Sequence, residues 1–394
     1  MSTSFQTLRD LVTALGVPAD EVEKAEADGT LGLLAVDRMI LADQNPRYTQ
    51  AEVGTMTGLP GESARFWRAL GFPDPGPNDR IFSDFDVEML TLVHQLVELG
   101  LIASDEALQM TRVIGSSMAR IASAQIDAIE NRIDEPTFVD GTEPAVLRSR
   151  FLIPAMPQIL EYTWKRHLQS AARRRMVRET AARGGYVQSV GFADLVGFTA
   201  LSQQLTDHEL AEIVDRFEAT AYDLVGSLGG RVVKMIGDEV MFAVDDVSTS
   251  LQLALALAEA YHDDESLSDV RVGLARGPVL EREGDLYGPV VNRASRIVSI
   301  AYAGSVVVDG AVHDALEDDD RFRWKSLRTR QLKDIGRVHL WGVRHAGDEF
   351  EREGARERAR RRRGAIRAKV ADLIDRRSAD EDYEDSEDSE KEEE

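Results

Sequence analysis

The sequence predicts an α+β protein in which an all-helical region precedes a ferredoxin-like α+β domain. Two observations support this prediction. Up to about residue 165, apolar residues recur at three- and four-residue spacing, the period of amphipathic helices. Beyond residue 186 the order becomes strand, helix, hairpin, helix, strand, helix and strand, which is typical of a ferredoxin-like sheet. We therefore expect an all-helical domain over residues 1–164 and an α+β domain over residues 186–345.

The helical region has four clearly periodic segments joined by turns that carry Gly and Pro, namely residues 5–15, 31–43, 86–99 and 104–129. Inside this region, residues 48–90 resemble the winged helix-turn-helix of MerR-type regulators. The segment nevertheless holds three arginines against seven acidic residues. Because duplex binding needs a basic surface, we expect this scaffold to serve packing or sensing, with DNA contact as the disfavoured alternative.

Two charged segments flank the α+β domain. Residues 165–185 read as a basic helical linker, which ends at the helix stop Gly184-Gly185. Residues 346–394 form a charged tail, and its last fifteen residues hold eleven acids and one lysine. This composition is typical of disordered chain, so we expect a largely disordered tail.

Within the α+β domain, each element follows from its local pattern. Apolar runs bounded by Gly, Pro and polar clusters indicate strands, and longer amphipathic segments indicate helices. A turn at Gly237-Asp238 divides one apolar segment into a hairpin. The predicted elements are a strand at 186–193, a helix at 207–228, a hairpin at 230–244, a helix at 248–261, a strand at 270–280, a helix at 291–302 and a strand at 305–308, with the domain closing near 343.

Composition excludes several classes of protein. The net charge of -23 disfavours nucleic acid and anionic membranes as general partners. The absence of cysteine excludes disulfides, thiolate metal sites and cysteine nucleophiles. No run of about 18 apolar residues is present, and no secretory segment follows Met1. We expect no membrane span and a cytoplasmic location.

Two carboxylates occur where such a sheet would present them together. Asp194 ends the first predicted strand, and Asp238 lies at the tip of the hairpin beside it. Oxygen ligands without cysteine or paired histidine favour Mg²⁺ or Mn²⁺ over zinc. Two such ions about 4 Å apart can activate an attacking hydroxyl and neutralise a leaving phosphate. Gly197 allows close backbone approach, and the amides beyond it open toward a helix, as in phosphate-binding turns.

Three ordered segments resemble the class III nucleotidyl cyclases. The first is FADLVGFT at residues 192–199, and the second is VKMIGDE at residues 233–239. The third, residues 285–296, fits the pattern D-x-x-G-x-x-V-N-x-A-S-R at every fixed position. The resemblance covers residues 186–343 and implies an adenylate cyclase that converts ATP to 3′,5′-cyclic AMP and pyrophosphate.

The resemblance also implies roles for individual residues. Asp194, Asp238 and the backbone carbonyl of Leu195 match ligands of two Mg²⁺ or Mn²⁺ ions. Asn292 and Arg296 match the pair that acts on the ribose and the α-phosphate in the transition state. The substrate-binding positions are Lys234 and Asp285 for adenine, Lys333 for the terminal phosphates, and Gly197, Phe198 and Thr199 in the first motif.

Lys234 and Asp285 predict ATP rather than GTP. An ammonium can donate to N1 of adenine, and a carboxylate can accept from its exocyclic amine, whereas guanine inverts both demands. The motif around Lys333 departs from the family's K-G form. In the family, the metal acids and the remaining groups meet at a head-to-tail dimer interface, so the resemblance implies a homodimer with two equivalent sites. Which group takes the proton stays open.

The helical half resembles the regulatory domain of actinobacterial cyclases that is inhibitory at higher pH. On that resemblance, His167 in the linker and His94 in a helix are candidate titrating groups, although an ordinary structural histidine is favoured for each. The resemblance to that family also allows a lipid as a ligand of the helical half. Three other hypotheses are a DNA-binding regulator with a degenerate cyclase domain, a diguanylate cyclase, and an inactive dimerisation domain.

Overall fold

The structure is a computed structural model that describes residues 7–59, 61–130, 144–181, 186–263 and 267–347. The chain divides into two compact units, Met1–Arg173 and Arg174–Glu394, and each is described by itself. The predictions for Gly184-Gly185 and for most of the charged tail, residues 348–394, lie outside the described residues.

The described part of the first unit is helical. Its helices are α1 (Leu8–Ala14), α2 (Ala19–Ala27), α3 (Leu31–Gln44), α4 (Gln50–Met56), α5 (Glu62–Ala69), α6 (Asp84–Glu98), α7 (Ser104–Glu130) and α8 (Pro144–Ala181), of which α8 continues into the second unit. The four predicted helices correspond to α1, α3, α6 and α7. Between the first two of these, the short, charged helix α2 buries Val22 and Ala25.

The helix-turn-helix segment is closed by a β-bridge between Tyr48 and Phe82. The side chain of Thr49 caps α4, and the carboxylate of Glu52 accepts a 2.8 Å hydrogen bond from the Thr49 amide. Arg80 then forms two 3.0 Å hydrogen bonds with the same Glu52 carboxylate. Arginine in this segment thus forms ion pairs within the segment, as Arg68 also does with Asp74.

The second unit contains a seven-stranded sheet in the order β2-β3-β1-β4-β7-β9-β8, and its β4–β7 pair is parallel. A two-stranded sheet, β5-β6, lies beside it. The strands are β1 (Val187–Leu195), β2 (Arg231–Ile236), β3 (Glu239–Val244), β4 (Val270–Pro278), β5 (Leu280–Arg282), β6 (Asp285–Tyr287), β7 (Val306–Asp309), β8 (Phe322–Leu332) and β9 (Gly336–His345), and the helices are α9 (Phe198–Leu201), α10 (Asp207–Ser227), α11 (Val247–Asp263), α12 (Pro289–Ile300) and α13 (Gly310–Leu316).

Helices cover both faces of the large sheet. On one face, α10, α11 and α13 pack on a core that includes Phe217, Leu257 and Tyr261. On the other face, α12 packs through Ile297 on Phe192 and its neighbours. Because side chains alternate along a strand, Asp194 lies on the same face of β1 as Phe192. The fold therefore places Asp194 on the α12 face of the sheet.

The predicted α+β fold is confirmed. The structure also contains a β8–β9 hairpin, which was not among the predicted strands. No helix in the described ranges is long and apolar enough to cross a membrane.

Candidate active site

Asp194 and Asp238 meet at one end of the sheet, as predicted. Asp194 is opposite Glu239 of β3 and opposite Arg271 of β4 in the strand register. The amide of Leu195 donates a 3.0 Å hydrogen bond to the carbonyl of Asp238, which ties the hairpin turn to the end of β1. Glu239, which the sequence analysis did not select, thus becomes a third carboxylate in this cluster.

The electrostatics of the cluster are dominated by burial. Asp194 is only 8% exposed, and its carboxylate accepts a hydrogen bond from Nε of Arg271. Burial raises the pKa of Asp194, and Arg271 opposes that rise. Burial, followed by the charges of Asp194 and Asp238, raises the pKa of Glu239 to about 7. Arg271 therefore opposes the rise in pKa at both Asp194 and Glu239.

This donor set fits a divalent cation. Carboxylate oxygens are the ligands that Mg²⁺ and Mn²⁺ prefer, and the cluster has more negative than positive charge. The carbonyl of Leu195, the third predicted ligand, belongs to the last residue of β1, directly beyond Asp194. A cation here would offset the burial, and the repulsion from Asp194 and Asp238, that raise the pKa of Glu239.

The chain turns sharply beyond the cluster. Gly197 has a φ of 86°, a left-handed conformation that glycine adopts without steric cost, and it precedes α9. Its carbonyl accepts hydrogen bonds from the amides of Ala200 and Leu201, both 3.1 Å. Phe198 packs against the core beneath, while Thr199 is exposed. We call Asp194, Asp238 and Glu239 the acid cluster. The three predicted residues of this turn begin three positions after Asp194 of that cluster.

Lys234 and Asp285, which are 51 residues apart in sequence, are brought together. Nζ of Lys234 on β2 lies 2.5 Å from Oδ2 of Asp285 on β6. Their side chains are 42% and 25% exposed, so the pair can be reached from solvent. The other oxygen of Asp285 accepts a 2.8 Å hydrogen bond from the amide of Leu286. The small hairpin of β5 and β6 thus presents a carboxylate beside an ammonium.

Asn292 and Arg296 lie one turn apart on α12, and both are exposed. The same helix buries Val290 and Ile297 against the sheet. Lys333 lies on the exposed turn between β8 and β9, before Asp334, whose φ is 64°. Within the part of the chain that the structure describes, no ion pair or hydrogen bond joins Lys333 to the other predicted residues.

Comparison with known proteins assigns the family. Residues 186–344 match the adenylate and guanylate cyclase catalytic domain, and residues 4–161 match the adenylate cyclase regulatory domain. The chain is 39% identical over 297 residues to an adenylate cyclase of Streptomyces coelicolor, covering 72% of this chain and 75% of that protein. The chain belongs to the class III adenylate cyclases.

Two other proteins are similar to this class III cyclase. A pH-sensitive adenylate cyclase of Mycobacterium tuberculosis is 29% identical over 354 residues, covering 86% of this chain and 88% of that protein. The solved structure of the adenylyl cyclase CyaB from P. aeruginosa is 18% identical, with a TM-score of 0.37, covering 42% of this chain and 96% of that one.

Two residues at this cyclase's acid cluster, Glu239 and its neighbour Arg271, were not predicted from the sequence. Glu239 follows Asp238 directly, so its place in the second motif was the available signal. Arg271 carries no such signal, because only the register between β1 and β4 brings it opposite Asp194.

Proposed function

We propose that this cyclase converts ATP to 3′,5′-cyclic AMP and pyrophosphate by two-metal catalysis. The observation that supports this most directly is the meeting of Asp194 and Asp238 in one partly buried, net-negative cluster at the end of β1. Asp194, Asp238 and the Leu195 carbonyl would hold two Mg²⁺ or Mn²⁺ ions. When bound, the ions supply activation of the ribose 3′-hydroxyl and neutralisation of the polyphosphate charge.

The base is recognised by Lys234 and Asp285. Lys234 donates to N1 of adenine, and Asp285 accepts from the exocyclic amine, so their mutual 2.5 Å pair opens when the base enters. With guanine, the Lys234 donor would face the N1–H donor and the Asp285 acceptor would face the O6 acceptor. The pair therefore favours ATP.

Asn292 and Arg296 act on the sugar and the α-phosphate. Asn292 orients the ribose, and Arg296 stabilises the charge that develops as the bond to pyrophosphate breaks. Lys333, on its exposed turn, contacts the terminal phosphates, and the turn at Gly197, Phe198 and Thr199 accommodates the phosphate chain. No role as the proton acceptor is assigned.

The active site is completed by a second copy of the chain. The acid cluster of one protomer would face Lys234, Asp285, Asn292 and Arg296 of its partner. Within the described residues, no hydrogen bond or ion pair joins the acid cluster to these four side chains, as expected if the two sets meet across an interface. A homodimer then carries two equivalent sites.

The helical half regulates the catalytic half, with pH as the proposed signal. Support comes from the match to the adenylate cyclase regulatory domain over residues 4–161 and from the pH-sensitive relative. Comparing residues 184–350 with the full chain across pH tests this proposal. Identical pH profiles would remove it. The cytoplasmic location, the lipid ligand and the titrating roles of His94 and His167 stay predictions.

The central test is an activity assay combined with mixing of variants. Purified chain should form cyclic AMP from ATP with Mg²⁺ or Mn²⁺, and Asp194→Ala and Asn292→Ala chains should each be inactive. Mixed dimers of the two variants contain one intact site and should recover activity. No cyclic AMP with either metal between about pH 5 and 8 would overturn the enzymatic proposal. Inactivity of verified mixed dimers would overturn the shared site alone.

A further inference from the structure

Arg293, on α12, forms an ion pair with a buried carboxylate at the end of β7. Its Nη1 donates a 2.8 Å hydrogen bond to Oδ2 of Asp309, whose side chain is only 2% exposed. The other oxygen of Asp309 accepts from the amide of Val312 at 3.1 Å and from the amide of Arg276 at 3.4 Å. The carboxylate is therefore tied to α13 and β4 by backbone groups, and Arg293 connects α12 to that fixed point.

Arg293 occupies a distinct position around the axis of α12. The helix buries its apolar face against the sheet through Val290, Ala294, Ile297 and Val298. Because an α-helix advances roughly 100° per residue, Asn292 and Arg296 lie on the side opposite that buried face. Arg293 lies on the flank of the helix, between its buried face and its exposed side. One side chain on the flank can therefore set the rotation of the helix.

The two kinds of contact constrain α12 differently. Apolar burial is non-directional, so the face that packs on the sheet fixes the depth of the helix better than its rotation. Depth is set closely at Gly273, where an added Cβ would lie 2.3 Å from the amide nitrogen of Val298. A charge-assisted hydrogen bond, in contrast, fixes both distance and direction. The pair between Arg293 and Asp309 therefore adds a directional constraint on the rotation of α12.

We propose that Arg293 is a positioning residue that holds Asn292 and Arg296 in their productive orientation by pairing with Asp309. This inference rests on the proposed function, in which those two side chains act on the substrate. Arg293 itself does not contact the nucleotide, because its guanidinium is engaged by a carboxylate buried beneath α12. Its effect on the reaction is exerted through the helix.

The expected result of Arg293→Ala is a fall in kcat with little change in KM. Misplacement of a reacting group by about 1 Å costs about 100-fold in rate, so we expect kcat to fall roughly 10- to 100-fold. KM for ATP should change by less than about threefold, because Lys234 and Asp285 are untouched. Arg293→Lys keeps the charge and one donor, so it should recover part of the lost kcat.

A matched control removes an arginine from a more exposed pair. Nη2 of Arg321 lies 2.6 Å from Oδ2 of Asp319, and their side chains are 56% and 20% exposed. Arg321→Ala should leave kcat and KM at the values of the unmodified chain. A fall in kcat for Arg293→Ala no larger than that for Arg321→Ala would overturn the positioning proposal, as would an equal loss for Arg293→Lys and Arg293→Ala.

Mixed dimers separate a positioning defect from general misfolding. In a dimer of Arg293→Ala with Asp194→Ala, one site combines an intact acid cluster with an intact α12, so activity should return. In a dimer of Arg293→Ala with Asn292→Ala, both sites contain a defective α12, so activity should stay low. Failure of the first mixture to recover activity would show that the defect extends beyond α12 and would overturn the proposal.

The mixture of Asp194→Ala with Asn292→Ala reports on the proposed function independently. If that mixture recovers activity and the Arg293 mixtures do not behave as stated, the positioning proposal alone fails. Should Arg293→Ala not yield folded dimers, the double variant Arg293→Gln with Asp309→Asn replaces it, because this variant leaves no unpaired buried charge. The same recovery with Asp194→Ala and the same low activity with Asn292→Ala are expected of it.

Discussion

Arg271 of β4 donates a hydrogen bond through Nε to the carboxylate of Asp194 on the neighbouring strand β1. Its Nη1 also donates to the carbonyl of Ser299, 3.2 Å away near the end of α12. One guanidinium thus balances part of the charge of the acid cluster and reaches the helix that carries Asn292. The chain therefore supplies a cation of its own beside Asp194, a proposed metal ligand.

Replacing Arg271 should make the chain more dependent on divalent metal. Arg271→Ala leaves the largely buried Asp194 without its partner, and we expect a loss of about 1–3 kcal/mol in the free energy of unfolding in EDTA. Saturating Mg²⁺ or Mn²⁺ should raise Tm more in this variant than in the unmodified chain, since the ion replaces the lost charge. Thermal unfolding with and without metal measures both effects. Arg321→Ala is the control, and equal metal-induced shifts in all three proteins would contradict the prediction.

Glu239 should make the metal-free protein more stable in mild acid. Its pKa in the folded chain, about 7, exceeds its ordinary value of 4.5, so the folded state holds the proton more tightly than the unfolded state. The free energy of unfolding should therefore decline as pH rises from about 4.5 to about 7 and then level off. Glu239→Gln should lack this part of the decline.

Urea unfolding in EDTA at about pH 5 and about pH 7.5 measures this dependence. The difference between the unmodified chain and Glu239→Gln isolates the residue from other titrating groups. Glu317→Gln, at an exposed position, should keep the full decline. An unchanged decline in Glu239→Gln would show that this carboxyl titrates near its ordinary pKa.

Substrate choice should depend on the pair of Lys234 and Asp285. Lys234→Ala removes a charged donor to the base, and a hydrogen bond of that kind contributes about 1.5–3 kcal/mol. We expect kcat/KM for ATP to fall roughly 10- to 100-fold, while the preference for ATP over GTP shrinks. Rates with both nucleotides measure this change. Lys325→Ala, on the opposite edge strand β8, should leave the preference intact, and a preserved preference in Lys234→Ala would assign base selection to other residues.

The parts of the site that the sequence predicted are those carried by local pattern. A strand followed by a hairpin brings Asp194 beside Asp238, because β1 pairs with β3. The β8–β9 hairpin was not predicted as strands from the sequence, because most residues of β8 are exposed and their burial does not alternate. A left-handed residue, Arg328, coincides with the register shift in this hairpin and interrupts the pattern further.

Contacts that depend on how elements pack in the fold could not be predicted from the sequence. Arg271 meets Asp194 only because β1 pairs with β4 in one particular register. Arg293 meets Asp309 only because α12 packs at a particular depth on the sheet, beside the end of β7. Both arginines stand among other arginines in the sequence, and nothing in their spacing distinguishes a buried partner from a solvated one. Local motifs identified the residues proposed to touch substrate, and the fold supplied those that hold them in place.

The close approach of α12 to β4 should make Gly273 intolerant of a side chain. A Cβ at this position would lie 2.3 Å from the Val298 nitrogen and 2.8 Å from the Ala294 carbonyl oxygen, both of which belong to the helix backbone. Gly273→Ala must therefore push α12 away from the sheet, and overpacking of this kind costs about 1–3 kcal/mol.

The displaced helix carries Asn292 and Arg296, so activity should fall together with stability. Urea unfolding and kcat measure the two effects in the same preparation. Gly226→Ala in α10 is the matched control, because an added Cβ meets nothing within 4 Å there. It should stabilise the chain by about 0.5–1 kcal/mol through helix propensity and leave kcat unchanged. Full activity in Gly273→Ala would mean that α12 can shift outward without misplacing the two side chains, which would weaken the link between helix position and catalysis.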